Sequence, residues 1–351
     1  MVVVIGVDVH KRSHTFVAVD EVGRQLGQLL AAATGAGHAQ AVAWAASSFP
    51  GERTFGVEDC RSWTLRLERD LLDAGERVVR VPPKLMAAAR RGARQPGKSD
   101  PIDALAVARA VLREPDLPVA GHDPVSWELK QLVGRRDQLV AERVQEINRL
   151  RMRLHQLDPA AEPPNGTLDQ VGVQTAVGAW LAGRDGVDAE IARDILADVI
   201  ALTVRIKAWT KRIKTAVRAA APQLLDLPGV AELTAAKIVA ETAGISRFRT
   251  EAAYAMHNGT APIPASSGAT SGKVRLNRGG NRQLNAALHR IAVSQVRHGG
   301  PGRDYYQRRL LLGDKKRHAL RALKRQLSRV VFRLLHAPAA ATESAPTAVA
   351  A

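Results

Sequence analysis

Four carboxylates spread over the first hundred residues could do chemistry together: Asp8, Glu58, Asp100 and Asp103. Asp8 sits at the exit of the apolar run Val2-Val3-Val4-Ile5-Gly6-Val7-Asp8-Val9-His10. A carboxylate beside such a core is costly unless it is salt-bridged or holds a cation. Glu58 closes a second short run that starts at Thr54, and Asp100 and Asp103, three residues apart, fall on one face of a helix. Four such groups at one place repel each other unless hard cations neutralise them. The chemistry implied is a Mg²⁺ site, with one or two ions, that polarises a phosphodiester and stabilises its attacking and leaving oxygens. Capping is the competing reading of Ser99-Asp100-Pro101-Ile102-Asp103: Asp100 at the N-cap, Pro101 at the first helical position, Asp103 in the first turn and a helix over 104–112.

A second group of reactive types lies far down the chain. Residues 259–273 form a loop rich in Ser, Gly and Pro that holds Ser266, Ser267 and Ser271. Such a loop is usually a flexible linker. Here Lys273, Arg275, Arg278 and Arg282 follow at once and would surround a serine hydroxyl with fixed positive charge. A serine attacking phosphorus needs cations of that kind to hold the oxyanion that develops.

The elements that must position these groups are readable from patterning. The opening run reads as a strand buried on both faces, and Thr15 to Asp20 as its hairpin partner, with the charged turn His10, Lys11, Arg12, Ser13, His14 between them. A third strand over 25–30, a helix over 37–49, a strand over 54–58, a helix over 63–74, a strand over 77–81 and helical sequence to 91 follow. Antiparallel strands first and parallel additions later is the ribonuclease H-like order. The sugar-kinase and actin-like fold opens in the same way but wants glycines after its first Asp to wrap a phosphate, where this chain has His-Lys-Arg. Past the Pro-bearing 114–118, apolar residues spaced three and four apart run from Leu129 to Leu157 and again from Ile195 to Val217. These predict two long coiled-coil-like helices, packed as an antiparallel hairpin or paired with another copy, joined by an irregular stretch. Leu227-Pro228-Gly229-Val230 before an Ala-rich helix resembles a helix-hairpin-helix start that offers backbone N–H groups to a phosphate.

Composition narrows the partners. The chain has 351 residues and a net charge of +17. That excess fits a polyanion, and nucleic acid fits better than a membrane surface because no basic amphipathic helix carries an aromatic apolar face. No run of 18 apolar residues and no charged segment ahead of the opening run occur, so the expectation is a cytosolic protein without signal peptide or membrane span. A lone cysteine, Cys60, excludes an internal disulfide and a Cys-based zinc cluster. With 4% aromatics, stacking on bases contributes little.

Gly6-Val-Asp8-Val-His-Lys, Val57-Glu58-Asp-Cys and Lys98-Ser-Asp100-Pro-Ile-Asp103-Ala resemble the four-acid signature of the DEDD transposases, the insertion sequence one-ten family. Ala261-Pro-Ile-Pro-Ala-Ser-Ser267-Gly and Arg278-Gly-Gly-Asn281-Arg282-Gln-Leu-Asn285 are similar to the C-terminal transposase domain of that family. The resemblance, over roughly residues 1–310, implies a RuvC-like domain over 1–115, a linker and coiled-coil hairpin over 116–220 and a mostly α-helical transposase domain over 221–336. Residues 303–333 read as one basic tail helix and 337–351 as a disordered tail. It implies that Asp8, Glu58, Asp100 and Asp103 bind Mg²⁺ and that Ser267 is the nucleophile, with Ser266 the adjacent alternative. Lys11, Arg12, Lys273, Arg275, Arg278, Asn281 and Arg282 become the candidates for holding nucleic acid. By the same resemblance, target and donor DNA are paired by a bridge RNA, the assembly is a dimer or tetramer in which one subunit's acids meet another's serine, and the protein works in the bacterial cytoplasm at the nucleoid. The alternatives are a Mg²⁺-dependent junction nuclease that uses the acids and water alone, and a non-catalytic architectural protein.

Overall fold

The computed structural model describes residues 2–58, 63–83, 85, 99–114, 116–121, 123–266 and 272–337. Ser267, Cys60, most of the helical sequence expected up to 91 and the tail beyond 337 lie outside the described residues. The chain divides into two compact units, 1–122 and 123–351.

The first unit is a five-stranded sheet of β1 (Val3–Val9), β2 (Ser13–Val19), β3 (Gln25–Ala32), β4 (Arg53–Glu58) and β5 (Arg77–Val81), in the order β3-β2-β1-β4-β5. β1 pairs antiparallel with β2 and β2 with β3, whereas β4 joins β1 in parallel and β5 joins β4 in parallel. This is the antiparallel-first, parallel-later order read from the sequence. Alternation along β1 decides what covers each face. Val3, Ile5, Val7 and Val9 bury against α1 (Gly35–Ser48) and α2 (Leu65–Asp73) through Ala41, Ala45, Leu67 and Leu71. Val4, with Val17 and Val19 of β2, packs under Ala104 and Ala108 of α3 (Asp100–Arg113) on the opposite face. Residues after the Pro-bearing stretch stay with this unit: Val119 bridges Val79, and Ala120 donates its N–H to Val78 O at 2.8 Å.

The second unit is mostly helical. α4 (Pro124–Leu157) and α6 (Val187–Ala220) lie antiparallel, since Leu129 and Val133 share a core with Ile213 and Val217, Leu139 with Leu202 and Ile206, and Leu150 and Leu154 with Leu196 and Val199. Both apolar stripes of the sequence are buried here, and the hairpin closes within one chain. The joining stretch is less irregular than expected. It contains α5 (Val171–Ala182), whose Val177 and Leu181 complete the core at the Leu150 end. Five further helices follow: α7 (Glu232–Thr242), α8 (Glu251–His257), α9 (Arg282–His298), α10 (Pro301–Leu311) and α11 (Lys316–His336). The basic tail read as one helix over 303–333 is two, broken at Gly313, which takes φ +89°. Glycine reaches that left-handed region without the cost of a Cβ, and the helix stops there. Among the described residues no helix is long and apolar enough to cross a membrane.

Candidate functional site

Asp8 and Glu58 reach the same place because of strand register. Val7 pairs with Val57 across the parallel β1–β4 ladder, so the next residue of each strand emerges at the same level and on the same face. That face is the one covered by α3. Two residues upstream of each acid stands a glycine, Gly6 and Gly56, and both lie directly under the helix. A Cβ on Gly6 would overlap the backbone O of Ala104 and the backbone N of Ala108, and one on Gly56 would come within 2.5 Å of Val111 Cγ2. The glycines let α3 sink onto the sheet, and its N-terminal turn then delivers Asp100 and Asp103 above the carboxyl ends of β1 and β4.

The start of α3 differs from the capping expectation. Ser99 holds the N-cap position, without a side-chain capping bond, and Asp100 is the first helical residue. A residue already in helical geometry cannot bend its side chain back over the N2 and N3 amides as a cap does. The Asp100 carboxylate turns instead toward the sheet: His10 Nε2 lies 3.3 Å from Asp100 Oδ1 and 3.0 Å from Asp8 Oδ2. Ligand atoms of Asp8, His10 and Asp100 all fall within 4.8 Å of one another. Asp8 and Asp103 are buried, Glu58 is half-buried, and Asp100 and His10 are open to solvent.

Electrostatics binds the acids into one group. Burial raises the Asp8 carboxyl above its usual range; His10 opposes the shift, while Asp103 and Asp100 add to it. The donors are hard oxygens with one imidazole, and three of the residues are close enough together to share a small divalent cation. This set fits such an ion. His10 was not among the candidate acids; its signal was its place two residues past Asp8. In the same turn Lys11 and Arg12 are exposed, with Lys11 Nζ 5.7 Å from the Trp63 ring centre.

The described ends of the serine loop, on either side of 267–271, pair as two short strands in the second unit. β6 (Ile263–Pro264) and β7 (Val274–Arg275) pair antiparallel, Ala265 donates its N–H to Lys273 O at 2.8 Å, and Ser266 Oγ lies 3.4 Å from the same oxygen. Lys273, Arg275, Arg278 and Arg282 are exposed, and among the described residues none of them pairs with a carboxylate. Asn281 is placed differently. Its side chain caps α9 by accepting from Leu284 N at 3.0 Å and donates to Glu241 Oε2 at 2.5 Å, so both amide ends are engaged within the protein. The preceding glycines have a steric reason. Gly280, at φ +84°, would put a Cβ 2.6 Å from Gly259 N, and Gly259, at φ +71°, would put one 2.8 Å from Gly279 O.

The Leu227-Pro228-Gly229-Val230 turn seats against α9, with Gln295 Nε2 donating to Pro228 O at 2.6 Å. The helix start beyond it carries a carboxylate. Glu232 is held below its usual range first by a hydrogen bond from its own N–H and then by Arg218, which lies 2.6 Å away, with Lys214 at 3.7 Å.

Residues 5–159 match a family model for DEDD transposases of the IS110 type, described as transposase, and residues 221–307 match one described as transposase of the IS116/IS110/IS902 family. The chain belongs to the IS110 family of transposases. Three relatives agree over at least three quarters of their lengths. The uncharacterized 44.8 kDa protein of insertion element IS116 of Streptomyces clavuligerus is 27% identical, over 94% of each chain. The uncharacterized 42 kDa protein of insertion element IS900 of Mycobacterium paratuberculosis is 26% identical, over 98% of each. The uncharacterized 43.6 kDa protein of insertion element IS110 of Streptomyces coelicolor is 28% identical, over 75% of this chain and 76% of its own. The IS110-family chain described here is therefore a DNA-processing enzyme, and the acid group of its first unit lies within the segment matched by the DEDD model.

Proposed function

We propose that this transposase breaks and rejoins DNA through a RuvC-like, ribonuclease H-type metal site formed by Asp8, Glu58, Asp100 and Asp103, with Mg²⁺ as its cation. The observation that carries the reading is the convergence of acids from two adjacent parallel strands with the N-terminal turn of α3 at one end of the sheet. A divalent ion held there supplies Lewis-acid polarisation of a phosphodiester. The four carboxylates hold that ion, and the buried pair, Asp8 and Asp103, anchors it against the core.

The nucleophile in this reading is Ser267, or its neighbour Ser266, in the stretch of sequence between β6 and β7. Its hydroxyl oxygen bonds to phosphorus, a deoxyribose oxygen leaves with a proton, and the covalent phosphoserine keeps the bond energy for rejoining to a second DNA end. Lys273, Arg275, Arg278 and Arg282 offset the charge on the phosphoryl oxygens. Lys11 and Arg12 hold the strand at the acid site. The loop and the acids come from different units, and we place them in different copies of a dimer or tetramer, with a bridge RNA pairing target and donor DNA.

The test is a strand-exchange assay on the wild type, Ser266→Ala, Ser267→Ala and Asp8→Asn, with covalent protein–DNA adducts trapped by denaturation and RNA that co-purifies with the protein sequenced. Loss of both adduct and exchange in one serine variant supports the reading. Cleavage retained in both serine variants but lost in Asp8→Asn points to a nuclease that uses water. Full activity in Asp8→Asn removes the acid site altogether.

A further inference from the structure

The imidazole of His10 stands where a metal ligand would stand. Around a cation with bonds of about 2.1 Å in octahedral geometry, neighbouring ligand atoms are about 3.0 Å apart and opposite ones about 4.2 Å. His10 Nε2 is 3.0 Å from Asp8 Oδ2 and 3.3 Å from Asp100 Oδ1, and all three ligand atoms fit inside 4.8 Å. The spacing of His10 from both carboxylates is that of neighbouring ligands around one ion. Chain geometry explains it. Asp8 is the last but one residue of β1, His10 follows the strand in the turn to β2, and His10 N–H is fixed by Ser13 O at 3.1 Å. The ring is half exposed, so it meets a cation without crossing the core.

Resting on the metal-site reading above, we infer that His10 Nε2 is a direct ligand of the cation, which makes the centre a mixed nitrogen and oxygen site that binds Mn²⁺ more tightly than Mg²⁺. An imidazole is a borderline donor, well matched to first-row transition ions and poorly to Mg²⁺, which prefers oxygen and water. Carboxylates alone discriminate little between the two ions, so the imidazole is the element that sets the preference.

The test uses the full-length protein and Mn²⁺ alone. Pulsed electron paramagnetic resonance of the Mn²⁺-loaded wild type should show coupling to a directly bonded ¹⁴N, and calorimetry should give tighter binding of Mn²⁺ than of Mg²⁺. In His10→Ala the nitrogen coupling should vanish and Mn²⁺ affinity should fall at least about tenfold, the loss that removal of even an outer-sphere partner produces. Mg²⁺ affinity should change less. His10→Gln keeps a hydrogen bond to the carboxylates but not the imidazole, and it should behave like His10→Ala. Wild-type affinity in His10→Gln would mean that His10 only orients the acids, and it would overturn the assignment. Absence of nitrogen coupling in a wild type whose Mn²⁺ binding is abolished by Asp8→Asn would also overturn it while sparing the acid site. No Mn²⁺ or Mg²⁺ binding in the wild type would remove both. Circular dichroism on each variant establishes that the exposed turn has changed without loss of fold.

Discussion

Gly6→Ala adds a single methyl group and should disable the site from beneath α3, two residues upstream of Asp8. The new Cβ would sit 2.9 Å from Ala108 Cβ and closer still to the backbone of Ala104 and Ala108. Carbon atoms in contact prefer about 3.5–4.0 Å, so α3 must rise by roughly 1 Å. Neither the central strand nor the helix backbone can turn aside as a side chain would, so overpacking should cost about 1–3 kcal/mol. At about 4 °C per kcal/mol, the value for a domain of this size, thermal unfolding of the first unit should begin roughly 4–12 °C lower. The acids move with the helix: Asp100 and Asp103 withdraw from Asp8 and Glu58. A displacement near 1 Å at a reacting centre costs about a hundredfold in rate, so strand exchange in folded protein at 20 °C should fall by that order. Calorimetry, Mn²⁺ titration and the exchange assay read the three consequences separately. Gly56→Ala makes the graded control, because its Cβ meets the movable side chains of Val111 and Val107 rather than backbone. If Gly6→Ala melted with the wild type and bound metal equally well, the idea that α3 rests on bare backbone would be refuted.

Two further outcomes follow from the same geometry. Asp8→Asn should abolish activity yet raise the melting temperature of the metal-free protein at pH 7–8. The raised Asp8 carboxyl means that the folded state binds a proton more readily than the unfolded chain, so its ionised form is a penalty that is fully present above the folded pKa. The advantage of the variant should shrink as pH falls through that raised value toward the ordinary 3.8, and melts recorded across this range without metal check the sign. Asn281→Ala should cost about 0.5–2 kcal/mol by removing the α9 cap, more if Glu241 is left without a donor, and chemical denaturation measures it. If Asn281 contacted nucleic acid alone, stability would be unchanged and only DNA or RNA binding would fall.

Much of the fold was written locally. The run Val2 to Val9 reads as a covered strand, the acid at its exit is conspicuous, and the stripes ending in Leu157 and Val217 mark two long helices, whose pairing with each other rather than with another copy only the structure decides. Periodicity carries such information because burial repeats with the element's own geometry. Asp8, Glu58, Asp100 and Asp103 stood out through their motifs, and the strand order of the sheet was legible. Less was legible wherever a side chain's partner lies far away in sequence. Asp100 looked like a cap until the helix start placed Ser99 in that role, and His10 gave no sign of its distance from Asp100, ninety residues on. Asn281 was a candidate for holding nucleic acid, and its bonds to Leu284 N and Glu241 Oε2 had no local signal. The glycines make the division plain. Nothing in the patterning singles out Gly6, Gly56 or Gly280, and only the packed structure shows that each is where another backbone or helix comes too near for a methyl group. Pattern along the chain determines which elements form, and the close approach of elements determines which atoms can share an ion.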